Sequence, residues 1–537
     1  MSRIFKVYCQ WCIRLLTICF LTFYLVMTIS GYFAKFQKII YPGKNVLLIG
    51  TIVALGFFAL IWGVAYWLSK HYVGWLVVTL TLLTIPKIML IGLFKISPVS
   101  DIYSYTNLGG SSASGDSWRW MYSNGGLDLN PLFPSVIHIS SAFGWIDRLF
   151  INKPFTIQLF NILITLTTAV LIYYFGRQIG NHFVGILSSL LFYLMPTYYI
   201  YSVLPGYEPL WLLLLVISSL CFNRWRLGHW QISNSYYWGW LLMTIVSLIL
   251  AQLIRPLTPI WVLSFFFFTW MTLHDNHISK AYQKTRTPYQ LAGSFLILII
   301  FTLFLAIAPK VDRQIYHIPF TNNSSLYSFT VGSNIRAKGM YDLTLINKLE
   351  KINRKNHSAQ RYNQMNVLLK SRLKHNLRYL QRTNGWLNFL IQKNQVLSQS
   401  FYGIQFFVMN TKSLSDASLS SHSNVSFPRW LTGFTTGFQI ILILSTIIGL
   451  LFYWPNLKYW RIGNGIVLMA IILDGVLLAS CLVEVQSRYQ IAWYLPMIIL
   501  GALGMGKYDP KAPDKEDVKK IEEAFDNLKS PSNKTKY

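Results

Sequence analysis

Residues 46–68 have the sequence VLLIGTIVALGFFALIWGVAYWL, a run of 23 residues without a charged side chain. A helix of that length spans the roughly 30 Å hydrocarbon core of a bilayer. Apolar residues make up 53% of the 537-residue chain and charged residues only 12%, about half the charged fraction of a soluble domain. The sequence therefore predicts a membrane protein and excludes an ordinary soluble enzyme.

Twelve apolar runs are long enough to be transmembrane helices, so we expect an all-α polytopic bundle of about 12 helices. They cover residues 12–34, 46–68, 74–97, 156–176, 183–203, 208–222, 237–254, 257–273, 291–309, 431–453, 463–482 and 490–506. Polar stretches divide the chain into an N-terminal transmembrane region (1–309) with a loop at 98–155, a basic segment (310–430), C-terminal transmembrane helices (431–506) and a charged tail (507–537).

The distribution of basic residues predicts the orientation in the membrane. The short loops on the side of the N-terminus hold 12 Lys and Arg residues, and those on the other side hold 5. Because positively charged short loops stay inside, we expect both termini in the cytoplasm of a multi-pass cell-membrane protein. The loop 98–155 and the segment 310–430 are then extracytoplasmic. Apolar residues at helical spacing predict a mixed or helical insertion for the latter.

The net charge of +28 does not indicate nucleic-acid binding, because most Lys and Arg lie beside apolar spans. Basic residues at those positions set topology and attract anionic membrane lipids. The segment 310–430 holds 17 basic residues against four acids. Such a segment suits an anionic neighbour, either a phosphate lipid or a teichoic-acid-like polymer, and is equally typical of a solvated face beside the membrane.

Several common signatures are absent from the sequence. It contains no G-x-x-x-x-G-K-[ST] phosphate loop, no H-E-x-x-H and no compact His/Cys cluster, so ATP-driven transport is not expected and no cofactor or metal site is predicted. A D-x-D pair for a metal-bound nucleotide sugar is also missing, and a divalent metal is not indicated. Its five cysteines lie in or beside apolar spans and form no disulfide framework.

The strongest local signal is Pro98-Val-Ser-Asp101-Ile-Tyr-Ser-Tyr105, directly after the third span. A carboxylate at this boundary can take a proton from an attacking hydroxyl group. The alternative is structural, because Ser and Asp after a helix commonly cap the next helix. The sequence leaves both roles of Asp101 open.

Charged residues also occur at the same predicted membrane face in later parts of the chain. Glu208 opens the sixth span, Arg255 ends the seventh, and Glu484-Val-Gln-Ser-Arg488-Tyr489 precedes the last. Arginine binds phosphate oxygens with two N–H groups, as a lipid phosphate requires. Each arginine could instead be an interfacial side chain that extends to water.

These motifs, in this order, resemble the bacterial GT-C membrane glycosyltransferases, in particular the family 39-like group related to protein O-mannosyltransferases and aminoarabinose transferase. The resemblance rests on P-x-S-D-x-x-x-Y at 98–105, F-P at 133–134 with F-G at 143–144, E-P at 208–209, R-P at 255–256, E-x-x-x-R-Y at 484–489, and the segment 331–341. It covers roughly residues 80–505. Three spans precede the loop here, instead of the one span of the simplest family pattern.

The resemblance implies sugar transfer from a polyprenyl-phosphate-linked donor to an extracytoplasmic acceptor, which is a cell-surface polymer, a glycolipid or a protein. Asp101 matches the catalytic base of the family. The residues expected to bind substrate are Tyr105, Glu208, Arg255, Arg488 and Tyr489. Other acids in the same loop are alternative bases: Asp116, Asp128 and Asp147.

Two readings from other functional classes remain open. One is a transporter or flippase for lipid-linked saccharides, and the other is a non-catalytic assembly protein with a binding ectodomain. Lys87 and Asp474 lie inside predicted spans, and charges at such positions face partners or cavities. No internal repeat of the kind that favours a transporter is visible in the sequence.

Overall fold

The computed structural model describes residues 3–33, 43–150, 153–227, 235–272, 280–320, 324–355, 360–400, 402–413, 426–452 and 460–506. Of the described residues, 85% are helical and almost none are in strands, as the all-α prediction requires. The charged tail 507–537 lies outside the described residues.

The described residues form 22 α-helices, two short strands and two 3-10 turns. The first eleven helices are α1 (Arg3–Phe33), α2 (Lys44–Ser69), α3 (Gly74–Leu82), α4 (Ile85–Leu93), α5 (Ser100–Ala113), α6 (Trp118–Ser123), α7 (Pro134–Leu149), α8 (Lys153–Ile179), α9 (His182–Leu194), α10 (Pro196–Val203) and α11 (Glu208–Leu227). The others are α12 (Ser235–Ile254), α13 (Pro259–Thr272), α14 (Lys280–Tyr316), α15 (Ser324–Gly332), α16 (Leu343–Lys355), α17 (Gln360–Arg382), α18 (Trp386–Leu397), α19 (Tyr402–Asn410), α20 (Ser426–Phe452), α21 (Trp460–Leu482) and α22 (Ile491–Met505). The strands are β1 (Phe94–Ile96) and β2 (Thr411–Ser413), and the 3-10 turns are Asn130–Leu132 and Ser487–Gln490.

Eight helical stretches among the described residues are long and apolar enough to cross a membrane. They are Tyr8–Phe33, Lys44–Ser69, Gly74–Leu93, Pro154–Ile179, Tyr237–Ile254, Tyr289–Tyr316, Trp430–Phe452 and Gly465–Leu482. A ninth is the pair α9 and α10, which bends by 57°. The expected spans at 208–222, 257–273 and 490–506 coincide with α11, α13 and α22, which fall below that length or hydropathy. These helices indicate a multi-pass membrane protein, and the count of twelve spans is not confirmed.

Small residues bring the long helices together. A Cβ added to Gly50 of α2 would lie 2.2 Å from the carbonyl carbon of Gly433 in α20. A Cβ added to Gly504 of α22 would lie 2.0 Å from the carbonyl oxygen of Ser445 in α20. Close backbone approach through small residues is typical of helix contacts in membranes, where no hydrophobic force drives association. The resulting contacts set the positions of the helix ends that carry the candidate site.

Helices α5 and α7 of the loop 98–155 pack side by side in the same direction. Gly109 of α5 faces Ser140 and Gly144 of α7, where an added Cβ on Gly109 would lie 2.9 Å from the Ser140 carbonyl oxygen. Tyr105 packs on Phe143 at one end of this pair. At the other end, Arg148 donates a hydrogen bond to a carbonyl oxygen of α5. We call these two helices the α5–α7 pair.

The third span ends four residues earlier than the expected residue 97, because the chain leaves α4 as a strand. Strand β1 pairs antiparallel with β2, which lies more than 300 residues later in the chain. Asn410 extends the contact: its carbonyl oxygen accepts from Ser97 N–H at 2.8 Å, and its side-chain oxygen accepts from Val99 N–H at 2.8 Å. The segment 310–430 therefore holds the backbone directly before Asp101.

The helical spacing of apolar residues expected in the segment 310–430 is found in α16 and α17. Their apolar faces bury Leu349, Met365 and Leu369 together with Leu129 and Leu132 of the loop 98–155. The two polar stretches thus share a hydrophobic cluster. We call this joint structure the cap.

Candidate functional site

Asp101 lies in the first turn of α5, where a negative charge interacts favourably with the helix dipole. Its Oδ2 is 2.6 Å from Nη1 of Arg488, and the side chains are 35% and 9% exposed respectively. The residue before the helix is Val99, and no side chain caps the first turn. Asp101 therefore does not act as the helix cap, which was the structural alternative for this residue.

Arg488 is held in a 3-10 turn by contacts from the cap. Ser487 Oγ donates to the Val396 carbonyl oxygen of α18 at 2.8 Å, and Gln490 donates to the carbonyl oxygen of Leu397. The backbone N–H of Glu484 donates to the Ser328 carbonyl oxygen of α15 at 2.8 Å. The turn consequently presents Arg488 at a fixed position beside Asp101.

Arg255 directly follows α12, which ends because Pro256 cannot continue a helix. The residue is 6% exposed, and its guanidinium carbon lies 4.5 Å from the centre of the Tyr489 ring and 5.4 Å from that of Trp211. The Arg488 guanidinium carbon lies 5.7 Å from the same Tyr489 ring. The two arginines therefore share one aromatic ring, which attracts both cations.

Both arginines keep a buried donor without an acceptor. Among the described residues, neither Nη1 of Arg255 nor Nε of Arg488 has a hydrogen-bond partner. A buried, charged N–H group without a partner is costly. The arrangement therefore suits an anion that would accept from both side chains.

Three carboxyl groups surround the arginines: Asp101, Glu208 and Glu484. Glu208 is buried at the start of α11 and interacts electrostatically with Arg255 and Arg488. Burial raises the pKa of Glu484, while the hydrogen bond from Gln486 and the charge of Arg488 lower it. Three ionised carboxylates would exceed the charge of the two guanidinium groups by one, and the raised pKa of Glu484 reduces this excess.

Tyr105 completes the cluster one turn after Asp101. Its ring packs edge-on against Tyr207 with 5.3 Å between the ring centres. Burial raises the pKa of the Tyr105 hydroxyl, and the negative charges of Asp101 and Glu208 add to that effect. The phenol therefore stays protonated and can donate a hydrogen bond. The structure thus places all six predicted site residues together: Asp101, Tyr105, Glu208, Arg255, Arg488 and Tyr489.

The alternative bases of the loop lie elsewhere. Asp147 is near the end of α7 and Asp116 follows α5, so both are at the far end of the α5–α7 pair, roughly 16 Å from Asp101 by the helix rise. Asp128 is exposed in a turn with a positive φ of 44°. None of these three acids joins the arginine cluster.

The sequence analysis did not identify the residues that support the cluster, which are Trp211, Tyr207 and Asn410. Trp211 lies three residues after Glu208 on α11, and that spacing places both on one helix face. Tyr207 precedes Glu208, and Asn410 fixes the backbone before Asp101. The spacing between Glu208 and Trp211 could have indicated that Trp211 belongs to the site. Nothing in the sequence indicated Asn410, because its contact depends on the pairing of two distant strands.

The charges inside the spans do not pair with each other. Nζ of Lys87 lies 3.8 Å from the centre of the Tyr193 ring and 4.8 Å from that of Tyr199, and no hydrogen-bond acceptor for it is found among the described residues. Asp474 accepts a hydrogen bond from Thr17 at 2.9 Å. Both charged residues face the interior of the bundle.

No group of three or more His, Cys, Asp or Glu residues that could hold a metal ion is found in the described part of the chain. No protein-family model, curated protein or solved structure matches this chain.

Proposed function

We propose that this protein is a membrane glycosyltransferase of the GT-C type, which moves a sugar from a polyprenyl-phosphate donor to an extracytoplasmic acceptor. The observation that carries the proposal is the pair of unsatisfied buried donors on Arg255 and Arg488 beside the partly exposed carboxylate of Asp101. Transfer of a sugar from a lipid phosphate requires at least a group that binds the phosphate and a base that activates the acceptor.

The donor phosphate would bind to Arg255 and Arg488. Their guanidinium groups are fixed by the Tyr489 ring and by the turn that carries Arg488. Donors that are already in place stabilise charge as it develops, without reorganisation during the reaction. The polyprenyl chain would lie along the apolar helices beneath the site.

Asp101 would act as the general base. It takes the proton of the acceptor hydroxyl, whose oxygen attacks the anomeric carbon, while the bond between that carbon and the phosphate oxygen breaks with inversion. Nη1 of Arg488 lies 2.6 Å from the carboxylate of Asp101. A phosphate that binds Arg488 competes for this contact and frees Asp101, so the base would become available only when the donor is bound.

A lipid-linked saccharide flippase is the second candidate, and a broken span favours it. The helix pair α9 and α10 bends by 57° at Pro196, and Lys87 lies against Tyr193 and Tyr199 on either side of the bend. Discontinuous helices near buried charges are common at transport sites.

Reconstituted vesicles distinguish the two functions. Purified protein would be placed in vesicles that contain radiolabelled polyprenyl-phosphate sugars, with a cell-envelope extract outside as acceptor. A transferase releases polyprenyl phosphate and labels the extract, whereas a flippase moves the intact donor across the bilayer without labelling the extract. Intact donor on both sides and an unlabelled extract would contradict the proposal of a transferase.

A further inference from the structure

A cleft of about 430 Å³ lies at the far end of the α5–α7 pair, away from Asp101. The end of α7, the turn after α5 and the end of α14 form its walls. Its charged, titratable and aromatic lining residues are Arg119, Arg148, Asp116, His317, Trp118, Trp145 and Tyr316.

One wall of the cleft continues into an exposed apolar surface of α14. Leu303, Ile307, Val311 and Ile315 are all exposed and follow each other at intervals of four residues, so they form one stripe along α14. This stripe belongs to a candidate membrane span, Tyr289–Tyr316. Ile315, at its upper end, is 62% exposed and lines the cleft. An acyl chain on this stripe would therefore lead directly into the cleft.

The opposite wall also has the composition of a membrane boundary. Trp145 is 64% exposed, and Leu149 at the end of α7 is exposed as well. The next helix, α8, begins a candidate span within a few residues. Tryptophan at such a position is typical of the headgroup level of a bilayer. The cleft thus lies where the polar part of a lipid would be.

The polar groups of the cleft fit a phosphate-bearing headgroup. Arg148 Nη2 donates to the Ser112 carbonyl oxygen at 2.6 Å, which anchors the side chain and uses one of its five N–H groups. Arg119 is exposed and also lines the cleft. Guanidinium groups bind phosphate with paired hydrogen bonds. The carboxylate of Asp116 can accept from a hydroxyl or ammonium group of the same headgroup.

We infer that this cleft is a binding site for a phospholipid, with the lipid phosphate on Arg119 and Arg148 and an acyl chain along the α14 stripe. The inference does not depend on the proposed function, because it uses neither Asp101 nor the residues around it. It assigns a lipid ligand to a face of the molecule that the transfer mechanism leaves unused.

Native mass spectrometry in detergent tests the site with three probes: phosphatidylglycerol, diacylglycerol and inorganic phosphate. We expect the wild-type protein to retain one molecule of phosphatidylglycerol that diacylglycerol does not replace. The double variant Arg119→Gln with Arg148→Gln should lose about tenfold in affinity for phosphatidylglycerol. Arg378→Gln is the matched control, because this arginine is exposed on α17 of the same cap, and its affinity should equal that of the wild type.

The substitution Ile315→Asn tests the acyl-chain contact separately and should weaken binding several-fold. Arg119→Gln alone, at an exposed position, serves if the double variant does not fold. Equal binding of phosphatidylglycerol to the wild type and the arginine variants would overturn the inference. Displacement of the lipid by inorganic phosphate at similar concentrations would overturn it too, because the cleft would then be a site for free phosphate only.

Discussion

The two ends of the α5–α7 pair hold arginines in opposite environments. At one end Arg255 and Arg488 are buried beside the same Tyr489 ring, and Arg488 pairs with the carboxylate of Asp101. At the other end Arg119 and Arg148 are exposed beside the apolar stripe of α14. A buried charge that loses its partner destabilises a protein strongly, whereas an exposed charge contributes little. Both sites contain arginines, so the degree of burial, and not the residue type, distinguishes the candidate reaction site at Asp101 from the candidate lipid site in the cleft.

The largest expected effect is in cysteine labelling, which shows on which side of the membrane the two ends of the α5–α7 pair lie. A single cysteine at Ser325, which is exposed in the cap, would be introduced after the five native cysteines are replaced by alanine. A membrane-impermeant maleimide should label it in intact cells. Labelling only after permeabilisation would place the cap in the cytoplasm and contradict both the predicted orientation and the proposed extracytoplasmic transfer.

The second-largest expected effect is the loss of sugar transfer when Asp101, the carboxylate paired with Arg488, is replaced. Asp101→Asn keeps the shape and an acceptor oxygen but cannot take a proton, so transfer should fall by about 10²–10⁴-fold. Folding should be preserved, because the asparagine oxygen can still accept a hydrogen bond from buried Arg488 and because Asp101 does not cap α5. The measurement is labelled product in vesicles, with thermal unfolding in detergent as the folding check.

Asp128→Asn is the matched control for that substitution. Asp128 belongs to the same loop, lies outside the cluster, and has a positive φ that asparagine tolerates well. Its transfer rate should stay within about twofold of the wild type, since exposed substitutions of this kind change stability by roughly 0.5 kcal/mol or less. A variant at Asp101 that keeps more than about a tenth of the activity would exclude it as the base.

A smaller effect is expected from Arg→Lys at the buried end. Lysine keeps the charge of Arg255 or Arg488 but loses the planar pair of N–H groups, so transfer should fall by about 10- to 100-fold at either position. The loss should appear in the dependence of rate on donor concentration. Arg148→Lys at the exposed end should leave transfer unchanged. Full activity in both buried variants would show that neither arginine holds the donor phosphate.

The smallest effect is a pH dependence of stability at the buried end. Nζ of Lys393 donates to the carbonyl oxygens of Gly332 and Cys481 at 2.8 and 2.9 Å, which ties the cap to the end of α21. Burial lowers the pKa of Lys393 from 10.5 to about 7. Between these two values the unfolded state binds more protons than the folded state, so stability should rise with pH, by at most about 1.4 kcal/mol per unit.

Thermal unfolding in detergent between pH 7 and pH 9 measures that slope. The variant Lys393→Met has no proton to gain or lose and should show a flatter profile over the same range. The cleft end has no comparable buried lysine among its lining residues. An unchanged slope in the variant would mean that Lys393 is charged in the folded protein.

Composition and apolar periodicity were sufficient to predict a helical membrane protein, because lipid requires long uncharged helices. Span boundaries were less predictable. The third span ends at Leu93 because β1 pairs with β2, and this contact has no local signature. The number of spans could not be predicted either, because it depends on packing. Helices α11 and α22 are packed inside the bundle and need less length and hydropathy than a helix that faces lipid.

The candidate site was predicted residue by residue, but its pairing was not. Asp101 and Arg488 were both singled out as charges at one membrane face, yet nothing in the sequence indicated that they form an ion pair. The cleft at the other end was missed altogether, since Arg119 and Arg148 are ordinary residues in a polar loop. Pairing across hundreds of residues is set by helix packing, and short motifs carry no information about it.

The pairing of β1 with β2 also has a consequence for biosynthesis. The backbone before Asp101 is held by residues 410–413, which the ribosome adds some 300 residues later. At about 5–20 residues per second, this delay is roughly 15–60 s. During that time the loop 98–155 has been inserted without its partner strand, and Arg488 has not yet been made. A nascent chain therefore carries the candidate base long before it carries a completed site, so the proposed transfer could not begin until synthesis has passed residue 488.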